Sequence, residues 1–145
     1  MNINLKQWDY KYSDDLVEYF QDKEIYKFLS NDMPYPYKKS DAYDYINLMK
    51  DNPYAKAIVL NNKAIGSIAA EVNGDTAEIG YCLGKKYWSK GIMTEALNMF
   101  IKHNIKVNNI TVKVHPKNIA SIRVLEKNGF NLKESGEWNV FSYTR

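Results

Sequence analysis

AEIGYCLGKKYWSKGIMTEAL, Ala77 to Leu97, decides the fold, because it passes from one secondary-structure period to another within a single stretch. Ile79, Tyr81 and Leu83 alternate with Glu78, Gly80 and Cys82, the period-two pattern of a strand. After WSKG, Ile92, Ala96, Met99, Phe100 and His103 recur at helical spacing. A strand thus leads into a helix through Ser89-Lys90-Gly91. The first amides of a helix lack intrahelical partners and carry the positive end of its dipole, so this entrance attracts anions. Gly91 allows a phosphate close to the backbone, Lys90 adds charge, and Ser89 and Thr94 add hydroxyl donors. A pyrophosphate suits it better than an extended acidic peptide. Gly91 equally suits an ordinary strand-to-helix turn, so the motif needs support elsewhere.

Two other phosphate motifs fail. GYCLGKK has three residues between Gly80 and Gly84 and a lysine after Gly84-Lys85, where a P-loop needs four and then Ser or Thr. No G-x-G-x-x-G is present.

Working outward, INLKQW opens as a strand, and SDDLVEYFQ offers Ser13 as a cap before a helix starting near Asp14, with Leu16, Val17 and Phe20 at helical spacing. The prolines of NDMPYPYKK impose an extended path. SDAYDYINLMK then places Ala42, Tyr45, Ile46 and Met49 on one helical face, with Ser40 as cap. YAKAIVL, AIGSIAAEV and TAEIGYCL, joined at NNK and NGD, form an antiparallel meander. Downstream, ITVKV is a strand, and NIASIRVLEKNGF a helix with Ile119, Ile122 and Leu125 on one face and Asn128-Gly129 as its stop. NLKE and WNVFSYT close the sheet as a hairpin. The sum is a mixed α/β layer.

Composition narrows the function classes. The chain has 145 residues, 45% of them hydrophobic, which suits one domain, residues 1–145, with a real core. A net charge of +3, from 20 basic and 17 acidic residues, is too balanced to point to nucleic acid. The single Cys82 excludes an internal disulfide, and MNINLKQWDY lacks the apolar run of a secretory signal, so a reducing cytoplasm is expected. No apolar run approaches a membrane span. His103 and His115 have no metal-ligand spacing with Cys82, so no metal is expected.

The paired stretches, AEIGYCL with WSKGIM and ITVKV with NIASIRVLEKNGF, resemble the GNAT superfamily of acyl-CoA-dependent N-acyltransferases. That superfamily carries a strand, a Q/R-x-x-G-x-G/A pyrophosphate loop and a helix, then a second strand and a helix ending in Gly-Phe. EIGYCLGKKYWSKGIMTEAL, NIASIRVLEKNGF and the MPYPY segment are similar to its branch of ribosomal-protein N-terminal (alanine) acetyltransferases and their small-molecule-modifying relatives. The resemblance covers roughly residues 3 to 130, and the two motifs in correct order are far more specific than either alone. It implies a GNAT fold: a mixed, mostly antiparallel twisted sheet of about six to seven strands, splayed at its middle and flanked by about four helices.

The resemblance also implies a site. The backbone of Cys82 and Leu83 would pair with the pantetheine arm of acetyl-CoA, the co-substrate. Its phosphates would sit on the N–H groups of Trp88, Ser89, Lys90, Gly91, Ile92, Met93 and Thr94, and Asn118 and Ser121 would face it from the second motif. Trp88 stands where most of the superfamily has Gln or Arg, so its main chain is expected to bind. Met93 replaces a Gly or Ala, which puts a long side chain near the diphosphate. Leu125 replaces a tyrosine that protonates the departing thiolate in many relatives, and Ser121 is the substitute.

Acetyl transfer to an amine makes demands of its own. An alkyl ammonium has a pKa of about 10.4, so a carboxylate must help to remove its proton. Glu78 is the first candidate, on the Glu78-Gly80-Cys82 side of its strand, and Glu71 the second. A backbone N–H near Cys82 or Leu83 would stabilise the oxyanion by about 3 kcal/mol. Tyr35 and Tyr37 either wall the acceptor pocket or simply pack. Lys85, Lys86 and Lys90 either neutralise phosphates or keep a loop soluble. Cys82, amid apolar residues, reads as inert packing rather than an acetylated nucleophile, which favours direct transfer in a ternary complex.

The expected activity is therefore acetyl-CoA-dependent N-acetylation of a primary amine, on a peptide N-terminus or a small molecule, by a monomer or homodimer without nucleic-acid or membrane partners. The alternative is a non-catalytic acyl-CoA sensor or protein-interaction domain, which Leu125 favours. An RNA-binding module would show a steep salt dependence that the weak net charge does not support.

Overall fold

The computed structural model describes residues 2–29 and 32–145. Asn31, at the head of the proline segment, lies outside the described residues. In chain order the elements are β1 (Ile3–Gln7), α1 (Ser13–Tyr19), α2 (Lys39–Met49), β2 (Ala55–Leu60), β3 (Lys63–Asn73), β4 (Thr76–Leu83), α3 (Ile92–His103), β5 (Asn109–Val114), α4 (Ile119–Lys127), β6 (Asn131–Glu134) and β7 (Asn139–Thr144). The strands form one sheet in the order β1-β2-β3-β4-β5-β7-β6. Every pairing is antiparallel except β4 with β5. This is the α/β GNAT fold that the paired motifs implied.

Turn chemistry sets the meander. Asn61 and Asn62 both have positive φ, 51° and 64°, as a tight two-residue hairpin between Leu60 and Lys63 requires. Gly74 (φ 62°) serves the next hairpin, where Asn73 faces Thr76. Gly66 answers a different demand: a Cβ there would lie 2.4 Å from the Cys82 carbonyl oxygen, so β3 and β4 can approach only without one.

Helices cover both faces of the sheet. Ile58, Ile68, Ile79 and Leu83 pack with Leu97, Phe100 and Leu125 on the α3/α4 side. Ala55, Ala57 and Val59 pack with Leu16, Phe20 and Ile46 on the α1/α2 side. The apolar run Ala57-Ile58-Val59-Leu60 of β2 follows from this double burial.

Three local expectations differ from the structure. Ser13 does not cap α1 but is its first residue, because a 3-10 turn (Tyr10–Tyr12), capped by Asp9 accepting from the Lys11 amide at 2.9 Å, precedes it. Ser40 lies inside α2, whose start is closed by Asp41 reaching back to the Lys38 amide at 2.8 Å. Ile119 opens α4 but is 53% exposed, so Leu125, with Ile122 and Val124, carries the buried face. The stop holds: Gly129 has φ 82° and the Phe130 amide donates to the Leu125 carbonyl at 3.0 Å.

Candidate active site

The parallel ladder between β4 and β5 is short. Thr76 faces Asn109, Ala77 faces Ile110 and Glu78 faces Thr111, and there the pairing stops although β4 continues to Leu83 and β5 to Val114. The two strands diverge, leaving one edge of β4 unpaired from Ile79 onward. A strand edge of this kind offers N–H and C=O groups to an extended ligand.

Which residues offer them follows from the other edge. The Cys82 carbonyl points at Gly66 and the Gly84 amide donates to the Ile65 carbonyl at 2.8 Å, so residues 82 and 84 turn their backbone toward β3. By alternation, Ile79, Tyr81 and Leu83 turn theirs into the gap. The Cys82 backbone, expected at the gap, is instead turned toward β3, and that of Tyr81 faces the gap. The Leu83 carbonyl already accepts the Trp88 indole N–H at 2.7 Å, and the Trp88 amide donates to the Lys85 carbonyl at 3.1 Å, so the Trp88 N–H expected to meet the phosphates is already committed.

Past Trp88 the chain makes two left-handed steps, Ser89 (φ 61°) and Gly91 (φ 76°), before α3 begins. The first intrahelical bond runs from the Glu95 amide to the Gly91 carbonyl, which leaves the amides of Ile92, Met93 and Thr94 without helical partners. Ile92 and Met93 are 1% and 6% exposed and pack in the core. The Met93 side chain thus points away from the loop, and the crowding expected of it does not arise. Lys85 pairs with Asp22 and Glu24, and Lys86 with Glu18, whereas Lys90 has no carboxylate partner among the described residues. Of the three lysines, Lys90 is the one available to an anion.

Across the gap, Asn118 caps α4, its Oδ1 accepting the Ser121 amide at 3.2 Å. That bond commits the Asn118 oxygen to the helix. The Ser121 hydroxyl lies 2.6 Å from the Tyr81 hydroxyl, which bridges β4 to α4. Burial pushes the Tyr81 phenol up to about 12, opposed by its bond to Ser121, so it keeps its proton at neutral pH. Leu125 is fully buried and presents nothing to the gap.

On the opposite face a cavity of about 760 Å³ lies between the sheet and the α1/α2 layer. Glu78, Glu71, Tyr37 and Cys82 line it; Tyr35 does not. Tyr35 is 48% exposed, its ring set against Tyr26. Glu71 and Glu78 are direct cross-strand neighbours, and Lys113 of β5 lies 3.3 Å from Glu78. Tyr37 is buried against Phe20, ring centroids 4.6 Å apart, and burial raises its phenol. Burial likewise pushes the Cys82 thiol up to about 12, which disarms it as a nucleophile at pH 7. Among the described residues no group of three or more His, Cys, Asp or Glu is placed to hold a metal. His115 instead sits between the rings of Phe28 and Trp138.

The sequence profile described as the acetyltransferase (GNAT) domain matches residues 2–131. The chain belongs to the GNAT acetyltransferases. Among curated relatives, the uncharacterized N-acetyltransferase p20 of Bacillus licheniformis is 30% identical over 142 residues, covering 88% of this chain and 78% of that protein. Among solved structures, the microcin C7 self-immunity acetyltransferase MccE, in complex with acetyl-CoA and AMP, superposes with a TM-score of 0.82 at 23% identity, covering 99% of this chain and 92% of that one. The ribosomal L7/L12 alpha-N-protein acetyltransferase RimL, in complex with coenzyme A, gives 0.83 at 21% identity, covering 99% and 94%. At those identities the two structures speak for the fold, and RimL among them is consistent with the branch that the motifs indicated.

This GNAT N-acetyltransferase also holds groups that the sequence did not single out. Tyr81 was placed on its strand face by alternation, but its bond to Ser121 spans 40 residues. Lys113 meets Glu78 only through the parallel register of β4 and β5. Tyr19, Tyr45 and Ser67 converge on the cavity from α1, α2 and β3. The helical spacing of Tyr45 was legible; the shared destination was not.

Proposed function

We propose that this acetyltransferase moves an acetyl group from acetyl-CoA directly onto a primary amine while both are bound. The observation that carries the reading is the gap after Glu78 and Thr111, along which β4 runs on from the cavity-lining Glu78 toward the loop that precedes the partner-free amides of α3. The fit is specific. An extended pantetheine arm can complete the β4 edge through the backbone of Ile79 and Tyr81, and a diphosphate can take the amides of Gly91 to Thr94 with Lys90 beside them.

In this reading Glu78 takes the proton that the ammonium must lose, directly or through one water, and exchanges its ion pair with Lys113 as it does so. An amide of Tyr81 or Leu83 stabilises the carbonyl oxygen as it gains charge. The Ser121 hydroxyl, backed by Tyr81 at 2.6 Å, hands a proton to the departing thiolate. With an ordinary thiol pKa of about 8.5, that thiolate needs only modest help. The high pKa of Cys82 argues against an acetyl-cysteine intermediate. A reducing cytoplasm, where a lone thiol stays free, is the compartment assigned.

Calorimetry with acetyl-CoA and an assay of CoA release with a panel of amines test the proposal. Binding and amine-dependent release are expected, and Glu78→Gln should lower kcat by about 10²-fold at unchanged acetyl-CoA affinity. Absence of acetyl-CoA binding at millimolar concentration sinks the reading, and an unchanged rate in Glu78→Gln removes that residue from the mechanism.

A further inference from the structure

The cavity beside Glu78 is charged at one end and neutral elsewhere. Among the described residues its only carboxylates are Glu71 and Glu78, and the Lys113 ammonium, 3.3 Å from Glu78, offsets one of them. The walls are rings and thioethers, among them Phe20, Tyr37, Tyr54, Met33 and Met49. Four residues along β4, about 13 Å from Glu78 at ~3.3 Å per residue, Cys82 faces Ser67, toward which Tyr19 and Tyr45 also turn. The Tyr19 hydroxyl is buried there and, among the described residues, has no hydrogen-bond partner within bonding geometry. A buried hydroxyl without a partner is costly, and a ligand atom that accepts from it recovers that cost.

We infer that the acceptor is a primary amine bearing a single positive charge on an aromatic-sized apolar body, with a hydrogen-bond acceptor that reaches the Tyr19 hydroxyl. This inference rests on the acetyl transfer proposed above. One net negative charge matches one ammonium, brought to Glu71 and Glu78 for deprotonation. Rings and thioether sulfurs pack on a planar apolar group. A polycation such as a polyamine or an aminoglycoside would instead lose the hydration of several charges against apolar walls with a single net countercharge. A free aromatic amine and a peptide with an aromatic first residue share the required chemistry.

The test compares tyramine and phenylalanyl-alanine amide with spermidine and kanamycin, at saturating acetyl-CoA, in the full chain and in Tyr19→Phe. At least one aromatic acceptor should exceed both polycations by about tenfold or more in kcat/KM, and which one does so separates the free amine from the peptide source. In Tyr19→Phe its KM should rise about tenfold, one hydrogen bond's worth, with the acetyl-CoA KM unchanged and the melting temperature no lower. A polycation as the best acceptor overturns the inference, as does an unaltered acceptor KM in Tyr19→Phe. Acetyl-CoA binding without turnover of either aromatic amine overturns it while leaving cofactor recognition standing. Failure to bind acetyl-CoA overturns the acetyl transfer beneath it.

Discussion

Leu125 puts a hydrocarbon at the position where the paired motifs imply a proton donor, and Tyr81 reaches Ser121 of the same helix from β4. The alternation of β4 already placed Tyr81 away from Glu78, but its contact with Ser121 depends on how α4 lies against β4, which no local pattern encodes. Since burial holds the phenol near 12, it remains a donor across the physiological range. Tyr81→Phe should lower kcat about tenfold, less than the ~10²-fold or more of a direct proton donor because Tyr81 acts through Ser121, with the acetyl-CoA KM little changed in steady-state assays. An equal loss in both parameters would mean that the phenol only props α4. Glu78 was legible as a candidate because its strand face was legible. Lys113 was not, because it joins Glu78 through a parallel pairing of only three residue pairs.

At the scale of elements, the loop between β4 and α3 was read correctly in its boundaries and partly misread in its contents. Ser-Lys-Gly announced a strand-to-helix turn, and α3 begins at Ile92. What remained hidden was the direction of side chains: Met93 turns into the core, and the Trp88 indole closes back on Leu83. Such directions are set by packing rather than by spacing. Gly91 has φ 76° with open space around its Cα, so Gly91→Ala meets strain rather than collision. It should cost about 1 kcal/mol of stability, measurable by urea unfolding, and raise the acetyl-CoA KM by displacing the first amides of α3. A stable variant with unchanged KM would detach that loop from cofactor binding. The misplaced caps have separate causes: a 3-10 turn capped by Asp9 carries Ser13 into α1, and Asp41 closes the start of α2 ahead of Ser40.

For the molecule as a whole, the meander, the crossover through α3 and the closing hairpin were all legible, because each rests on local turn chemistry and period. The insertion of β7 between β5 and β6 was not, since both hairpin orders satisfy the same local pattern. Nor was the cavity, which gathers residues from α1, α2 and three strands. Desolvated groups on the two sides of β4 predict a shared pH response. Cys82 rises from an ordinary 9.0, and Tyr45 and Tyr81 from 10.0, each to about 12. The folded state therefore holds these protons more tightly than the unfolded state. Their stabilising effect is complete below about pH 9 and is lost as pH climbs toward 12. Thermal melts should show the melting temperature falling steadily between pH 9 and 11.5, with a shallower onset in Cys82→Ala; a flat profile would contradict the burial of these groups. The unfinished ladder between β4 and β5 has a consequence for evolution. Where recognition is written in main-chain amides, no particular side chain has to be preserved, and residues can be exchanged freely provided the strands still part at the same rung. Two solved structures that share this shape at only 21% and 23% identity show how far side chains can be exchanged on one fold.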